Sequence, residues 1–408
     1  MKDTPCRQAR GNEETDMCDD QEFRQQVNEA TRAVPVGEAI GMVLAHDVTE
    51  IRTGEFKGRA FKKGHVIRGE DIPRLRQIGK EHLYVLHVAD DEMHEDDAAY
   101  ALARALMGEG VAMQGEPKEG KITLIAEKDG LLKIDDGALL RFNMLGEAIC
   151  STLHDNTLVK QGSVIASTKA VPLVVKRSLI EEAVSIGAQS RTAKRSGIIS
   201  VRDIRKPKAG VVITGREVYE GRTKDSFAPV IAKKIEALGG EIIGTYYAPD
   251  DRHFIRQRLG ELVSAGADLL ITTGGMSVDP DDVTRFAIRD LGAIDITYGS
   301  PVLPGAMVLV GYLDTMRNSP TLAKTSGQAE CGMRNVSHSK TGTPDPELIP
   351  ILGIPACGMY HKTTVVDLLL PRLLAGERIG RRELAELGHG GLCLQCAECR
   401  YPVCPFGK

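Results

Sequence analysis

The chain has 408 residues, of which 26% are charged and 42% apolar, and its formal net charge is -4. This composition is typical of a globular protein, and the length exceeds the roughly 250–300 residues at which one hydrophobic core stops growing, so we expect two or more domains. The 52 Lys and Arg residues do not outnumber the 56 Asp and Glu residues. Without a basic excess to hold a phosphate backbone, we expect no nucleic-acid partner.

The sequence also predicts a cytoplasmic protein that makes no contact with membranes. No apolar stretch approaches the ~20 residues that a membrane-spanning helix needs. The opening residues are polar and partly acidic, unlike a secretory signal peptide.

The first half of the chain divides into three predicted regions. Residues 1–32 are polar and predict a flexible tail. Residues 33–115 contain patterns for a helix over 72–79, a strand over 82–86 and a helix over 96–108. Residues 116–207 alternate short β-rich runs with Asp-Gly and Gln-Gly turns and contain a helical stretch over 177–188. This last region predicts a small antiparallel or barrel-like domain.

From residue 208 onward, strand and helix patterns alternate. We predict strands over 210–215, 241–251, 267–275, 301–313 and 350–355, and helices over 225–240, 252–266, 281–292 and 360–376. This alternation predicts a doubly wound α/β domain over 208–380, with a polar insertion at 315–347. A Cys-rich tail, 381–408, follows it.

The run after the third strand of this domain, "TTGGMSVDPDDVT", is a candidate binding loop. Ligands of open α/β sheets bind beyond the carboxyl ends of the strands. Gly274 and Gly275 let backbone amides approach a ligand, and the helix that follows offers its N-terminus to an anion. The aspartates at 279, 281 and 282 either cap that helix or hold Mg²⁺ beside a phosphate.

"LLITTGGMSVDPDDVT" resembles the signature loop of the molybdopterin-binding domain shared by two enzyme groups. These are the MoeA/gephyrin molybdopterin molybdotransferases and the MogA/MoaB molybdopterin adenylyltransferases. "VVITGREV", "APDD" and "GIPACGMYHKTTVVDLLLPRLLAG" resemble further parts of that domain in the same order. Residues 34–90 are similar to the accessory region of MoeA-type proteins, whereas residues 116–207 show little likeness.

The resemblance implies roles for individual positions. It implies catalytic roles with Mg²⁺ for Asp282, Asp250 and Asp251, at the pterin phosphate or molybdate. It implies that the ligand is bound by Thr214, Gly215, Glu217, Gly274, Gly275, Ser277, Pro355 and Gly358.

Two positions depart from the family pattern. Arg216 replaces the aspartate of the family's Thr-Gly-Asp-Glu turn. The late Pro-Gly-Asn-Pro turn becomes Pro355-Ala356-Cys357-Gly358. An arginine retains affinity for an oxyanion while removing a carboxylate that would act in metal insertion.

The resemblance implies a homodimer that acts in molybdenum cofactor biosynthesis. The favoured activity is that of a molybdotransferase, which binds adenylylated molybdopterin and molybdate. One alternative is a non-catalytic carrier that passes cofactor to a molybdoenzyme client, which the Arg216 substitution favours. A second is an adenylyltransferase that uses ATP. An unrelated hydrolase or kinase is disfavoured because the chain has no GxSxG or Walker sequence.

Four of the nine cysteines lie in the last sixteen residues, as Cys393, Cys396, Cys399 and Cys404. In a reducing cytosol this clustering favours a metal or redox site over disulfides. Their C-x2-C-x2-C-x4-C-Pro pattern is a poor match to zinc modules and is nearer to the ferredoxin-type run, with one extra residue before the last cysteine. We therefore predict a metal site, with an iron–sulfur cluster ahead of zinc. The other interpretation is a flexible tail with reactive thiols.

Overall fold

The computed structural model describes residues 31–52, 56–86, 88–192, 195–276, 282–315 and 348–408. The buried apolar side chains of these residues form four clusters. One lies within residues 34–85 and a second within residues 98–201, while the other two lie on opposite faces of a six-stranded sheet. None of the described helices is long and apolar enough to cross a membrane.

The first cluster joins two small antiparallel sheets and a helix. Their elements are β1 (Thr31–Pro35), β2 (Val43–Leu44), β3 (Val48–Arg52), β4 (Phe56–Phe61), α1 (Ile72–Gln77) and β5 (His82–Leu86). Strand β5 lies between β1 and β2, and β3 pairs with β4. The predicted strand over 82–86 and the helix beginning at 72 are confirmed. The helix ends early because Gly79 adopts a φ of +80° just beyond it.

The second cluster lies between antiparallel strands and three helices. Its elements are β6 (Glu92–His94), α2 (Glu95–Leu106), β7 (Val111–Lys118), β8 (Lys121–Ala126), β9 (Gly130–Ile134), α3 (Asp136–Asn143), β10 (Ala148–Thr152), β11 (Leu158–Val159), β12 (Val164–Ala170), β13 (Val174–Lys176), α4 (Arg177–Ser190), β14 (Arg191–Thr192), β15 (Arg195–Ser196) and β16 (Ile199–Arg202). The two larger sheets have the orders β10-β12-β8-β7 and β11-β9-β16.

This region agrees with the predicted antiparallel character but not with the predicted division of the chain. The boundary expected between residues 115 and 116 falls inside β7, and one core takes side chains from Ala98 to Val201. Helices α2 and α4 approach closely, since a Cβ at Gly187 would lie 2.2 Å from the Ala105 carbonyl oxygen. Helix α3, which the sequence analysis missed, is capped by Asp135, whose side chain accepts a hydrogen bond from the Ala138 amide at 3.1 Å.

The last two clusters belong to the α/β domain. Its elements are β17 (Lys208–Thr214), α5 (Arg216–Tyr219), α6 (Phe227–Ala237), β18 (Glu241–Ala248), α7 (Arg252–Ser264), β19 (Leu269–Thr273), α8 (Thr284–Asp290), β20 (Ala293–Tyr298), β21 (Leu309–Asp314), β22 (Leu348–Ile354), α9 (Cys357–Tyr360), α10 (Val365–Leu374) and α11 (Arg381–Glu386). The strand order is β18-β17-β19-β22-β21-β20. The first four strands are parallel, and β21 is antiparallel to both of its neighbours.

Helices cover both faces of this sheet, as predicted for a doubly wound domain. Val211 of β17 belongs to the cluster that α6 and α10 supply, and Val212 belongs to the cluster that α7 and α8 supply. Because each face is covered, all five residues of β19 are buried, and the sequence of the strand is mostly apolar.

The sheet is mixed rather than wholly parallel, and one predicted strand was wrong in extent. The run 301–313 contributes only Leu309–Asp314 to a strand. Pro301 and Pro304 precede it, and proline lacks the amide that a ladder needs. Strand β20 was not predicted, because its apolar run is interrupted by Asp295, which has a φ of +50°.

The C-terminal segment contacts the α/β domain instead of standing apart from it. Leu384 of α11 and Phe406 are 0% and 3% exposed, and both belong to the cluster beneath α6 and α10. The Cys393 amide donates to the Leu303 carbonyl at 2.8 Å. The interpretation of this segment as a free tail is therefore wrong.

Candidate functional site at the carboxyl edge of the sheet

The parallel strands bring four separate parts of the chain to one edge. Thr214, at the end of β17, lies opposite Ala248, and the preceding Ile213 lies opposite Thr273. Thr273 in turn lies opposite Ile354 of β22. The segments that follow these strands therefore emerge together. The strand ends and these segments contain every described position that the resemblance assigns to binding or catalysis. Ser277, Asp279 and Asp281 lie outside the described residues.

Two buried threonines and two glycines form the centre of this edge. The Thr214 hydroxyl donates to the Thr273 carbonyl at 2.7 Å, and its oxygen lies 3.3 Å from the Thr284 hydroxyl, which is thus the donor between them. Gly274 has a φ of +76°, and a Cβ there would lie 2.6 Å from the Thr214 carbonyl oxygen. At Gly275 a Cβ would lie 2.3 Å from the Thr284 hydroxyl oxygen. Contacts within the chain thus already require glycine at both positions.

The turn after β17 is joined to the turn after β18. Gly215 adopts a φ of +136°, and a Cβ there would lie 2.9 Å from Oε1 of Glu217. The Arg216 amide donates to the Asp250 carboxylate at 3.1 Å. The Arg216 and Glu217 side chains are exposed. The position that departs from the family pattern therefore presents a guanidinium to solvent at this edge.

The three predicted catalytic aspartates do not form a compact cluster. Asp251 accepts a hydrogen bond from the Phe254 amide at 2.7 Å and is the N-cap of α7. Asp282 is half-buried ahead of α8. Inside the described ranges, the one group of three side chains whose ligand atoms lie within 4.8 Å of one another is His94, Glu95 and Asp96, on a different part of the molecule. A magnesium ion at the edge would thus be held by fewer than three of these carboxylates and would depend on oxygens of the ligand itself.

The turn after β22 lies at the same edge, next to the segment that follows β19. The Gly358 amide donates to the Pro355 carbonyl at 2.9 Å. A Cβ at Gly358 would lie 2.6 Å from Cγ2 of Ile354, so the turn approaches its own strand closely. Burial raises the pKa of the Cys357 thiol, which keeps this replacement for the family asparagine protonated at neutral pH.

Three further residues support the edge and were not singled out from the sequence. They are Thr273, Thr284 and Tyr298. The Tyr298 hydroxyl donates to the Met276 carbonyl, which follows the two glycines. The Thr273 hydroxyl is buried, and no other described residue forms a hydrogen bond with it. Thr284 could have been found from the Val-Thr pair that ends the signature loop. Tyr298 could not, because it lies on β20, which was not predicted.

A second concentration of reactive side chains lies in the C-terminal segment. Cys393, Cys396, Cys399 and Cys404 all line one cavity of about 790 Å³, together with residues 360–363 that follow α9. Cys396 and Cys399 are exposed. The Cys399 sulfur lies 3.2 Å from the Thr363 hydroxyl, and this hydrogen bond lowers the pKa of Cys399.

The mixed sheet, its two helical layers and the glycine loop define an α/β domain whose candidate site lies beyond the parallel strands. Residues 210–375 match the family described as "Probable molybdopterin binding domain". This match confirms, for this part of the chain, the resemblance predicted from the signature loop. Residues 33–87 match a second family, described as a domain of unknown function (DUF8806).

Curated relatives share a short part of the chain. A CinA-like protein of Mycobacterium avium (strain 104) is 38% identical over 89 residues, which are 21% of this chain and 20% of that protein. A CinA-like protein of Mycobacterium tuberculosis (strain ATCC 25177 / H37Ra) is also 38% identical over 89 residues, 21% of each chain. The chain thus spans about a fifth of the length of the curated relatives that it matches.

Two solved structures from Pyrococcus furiosus are similar at low sequence identity. One is described as the tungsten cofactor synthesizing protein MoaB; it is 16% identical, covers 42% of this chain and 98% of that chain, and has a TM-score of 0.29. The other is described as a molybdenum cofactor biosynthesis protein; it is 13% identical, covers 90% of this chain and 71% of that chain, and has a TM-score of 0.22.

Proposed function

We propose that the carboxyl edge of the α/β sheet binds molybdopterin and that the protein acts in molybdenum cofactor biosynthesis as a molybdotransferase-like enzyme. The observation that carries this proposal is the family match over residues 210–375, which includes all four strand ends at the edge. We also expect a homodimer, as the resemblance implies, and a cytoplasmic location, as the sequence predicts.

The edge offers donors suited to a phosphate ester. The half-buried Gly274–Gly275 segment carries no side chains of its own and would offer backbone amides, and the exposed Arg216 guanidinium would form paired hydrogen bonds with phosphate or molybdate oxygens. Asp282 would hold Mg²⁺, with Asp250 beside it. When bound, that ion would offset negative charge on the phosphate oxygens.

A non-catalytic carrier is the second candidate, and a specific observation favours it. At this edge Arg216 takes the place of a family carboxylate, and the Asp251 carboxylate is occupied as a helix cap. Both features preserve anion binding while reducing the acidic groups available for metal insertion. In this version the cofactor is bound and handed to a client molybdoenzyme. An adenylyltransferase-like activity with ATP is the third version.

Binding is tested by titrating the full chain with molybdopterin released from a molybdoenzyme, under anaerobic conditions. We expect saturable binding that Arg216→Ala weakens at least about tenfold, because a charge-assisted hydrogen bond to phosphate contributes ~1.5–3 kcal/mol. Arg104→Ala is the matched control, since it removes an equally exposed arginine from α2. Absence of binding by the unaltered protein, or equal effects of the two substitutions, would contradict the proposed site.

Catalysis is tested separately with adenylylated molybdopterin. A molybdotransferase releases AMP only when both molybdate and Mg²⁺ are added. A carrier binds the same compound without releasing AMP. An adenylyltransferase instead forms the compound from molybdopterin and ATP.

A further inference from the structure

None of the residues assigned to the proposed molybdopterin site lines the cysteine-lined cavity. It lies between residues 360–363, after α9, and residues 392–406 of the C-terminal segment. Phe406 anchors the far end of this segment in the α/β core, and the hydrogen bond from the Cys393 amide to Leu303 fixes the near end. The segment that carries the four cysteines is thus anchored to the α/β domain at both ends, at Cys393 and at Phe406.

The separation of the four sulfur atoms argues against a single tetrahedral ion. With Zn–S bonds of about 2.3 Å, the sulfurs of a zinc site stand about 3.8 Å apart. All four cysteines lie in the described part of the chain, yet no three of their sulfur atoms lie within 4.8 Å of one another. An iron–sulfur cluster lies between its thiolates and holds them farther apart than one ion does. A cavity of about 790 Å³ leaves room for it.

We propose that Cys393, Cys396, Cys399 and Cys404 bind a [4Fe–4S] cluster in this cavity. The C-x2-C-x2-C spacing of the first three cysteines matches the part of the ferredoxin-type run that supplies three ligands to one cluster. In two-cluster ferredoxins the fourth cysteine of that run binds the other cluster, whereas here Cys404, one residue later and followed by Pro405, lines the same cavity as the other three. Four thiolates are the complete ligand set of a [4Fe–4S] cluster.

The surroundings of the cavity suit an anionic cluster near the surface. Lys362 and Arg400 line the cavity with one acidic residue, Glu398, so the local charge is net positive. Opposite charge stabilises a cluster whose four thiolates make it negative. Leu394 and Val403 also line the cavity and are 72% and 84% exposed, which gives it an apolar rim. Because Cys396 and Cys399 are exposed, the cluster would be accessible to oxygen.

The experiment is elemental analysis of the full chain, purified and reconstituted with iron and sulfide without oxygen. We expect about four iron and four sulfide ions per chain, and a paramagnetic signal after one-electron reduction. Cys396→Ser and Cys399→Ser should each lose most of the bound iron. Cys357→Ser is the matched control, because that thiol is half-buried and does not line the cavity; it should retain the iron.

Far-ultraviolet circular dichroism and thermal unfolding of each variant show whether the fold persists. Both test positions are exposed, so serine should leave the apoprotein folded. Zinc in place of iron, no bound metal, or full iron in folded Cys396→Ser and Cys399→Ser variants would overturn the proposal. None of these results depends on whether the sheet edge binds molybdopterin.

Discussion

The sheet edge and the C-terminal cysteine segment both gather chemically active residues, but they do so in opposite ways. The edge joins the ends of four strands that are far apart in the chain, and buried threonines fix its glycines. The cysteine segment places its four thiols within residues 393–404, and two of them are exposed. The first arrangement follows from the topology of the fold, whereas the second follows from local spacing on an anchored segment.

The largest expected effect tests whether the cysteine segment is part of the fold. Phe406→Ala removes a side chain that is 3% exposed in the α/β core. We expect the free energy of unfolding to fall by about 4 kcal/mol in urea denaturation, as for other buried phenylalanines. Val403→Ala is the control, since that side chain is 84% exposed. A loss below about 1 kcal/mol for Phe406→Ala would mean that the segment is an appendage after all.

A buried ion pair next to the C-terminal segment gives the next effect. Glu377 pairs with Lys133 of β9 at 2.8 Å and with Arg372 of α10 at 2.8 Å, and so joins the β-rich region to the α/β domain. Glu377→Gln leaves the buried Arg372 without its counter-charge, whereas Lys133 keeps Asp155 at 3.1 Å, and we expect a loss of about 3 kcal/mol in the same assay.

The same pair predicts a pH dependence. Burial alone would raise the pKa of Glu377, but Lys133 and Arg372 together lower it below its ordinary value of 4.5. Its contribution to stability is therefore present above the pKa of the unfolded chain and is lost as pH falls through the folded pKa. We expect the urea midpoint to drop between neutral and acidic pH by less in Glu377→Gln than in the unaltered protein. Equal drops would show that Glu377 does not titrate in this way.

A matched pair of glycines tests how the sheet edge is built. Gly274 and Gly221 have φ values of +76° and +73°, but only at Gly274 does a Cβ meet other atoms, the nearest at 2.6 Å. Gly221→Ala should cost about 1 kcal/mol for the left-handed backbone. Gly274→Ala should cost about 2 kcal/mol more, because the Thr214 carbonyl must move. If the two variants unfold at the same urea concentration, the contact with Thr214 does not constrain the loop.

The smallest expected effect concerns the hydroxyl pair behind the loop. Thr284→Val removes the donor to Thr214 and should cost about 1 kcal/mol, the usual contribution of a neutral hydrogen bond. Thr245→Val, at an exposed position on β18, should change the free energy of unfolding by less than about 0.5 kcal/mol. A null result for Thr284→Val would show that the two glycines alone hold this part of the edge.

Much of the α/β domain could be predicted because its strands are buried on both faces and its helices have clear ends. The apolar residues at 269–271 and the Asp225 carboxylate, which accepts a hydrogen bond from the Phe227 amide at 2.7 Å, are local signals of this kind. Strand β20 lacked such a signal, since Asp295 interrupts it. The domain boundary predicted between residues 115 and 116 was wrong. Helix α2 packs against later strands and against α4, and these contacts join residues that are far apart in the sequence.

The candidate site was predictable in position but not in detail. Strand ends identified Thr214, Gly274 and Pro355, and the topology brings them to one edge. The sequence suggested that the glycines serve a ligand. Glycine is also needed at each position to avoid a clash within the chain, with Thr214 at Gly274 and with Thr284 at Gly275. The resemblance implies a catalytic role for Asp251, and the structure shows that its carboxylate is also the N-cap of α7. The contact between Gly274 and Thr214 joins residues that are far apart in the chain, and such a contact leaves no periodic pattern to detect.

The bond from Tyr298 to the Met276 carbonyl has a mechanical consequence. Strand β20 runs in the same direction as β22, so its last residue reaches the same edge and braces the loop from the side opposite Thr214. Thr284 is tethered to Thr214 beyond the other end of that loop. A molecule that binds at the edge therefore meets a loop whose preceding residue, Met276, and following residue, Thr284, are both held by hydrogen bonds to other parts of the domain.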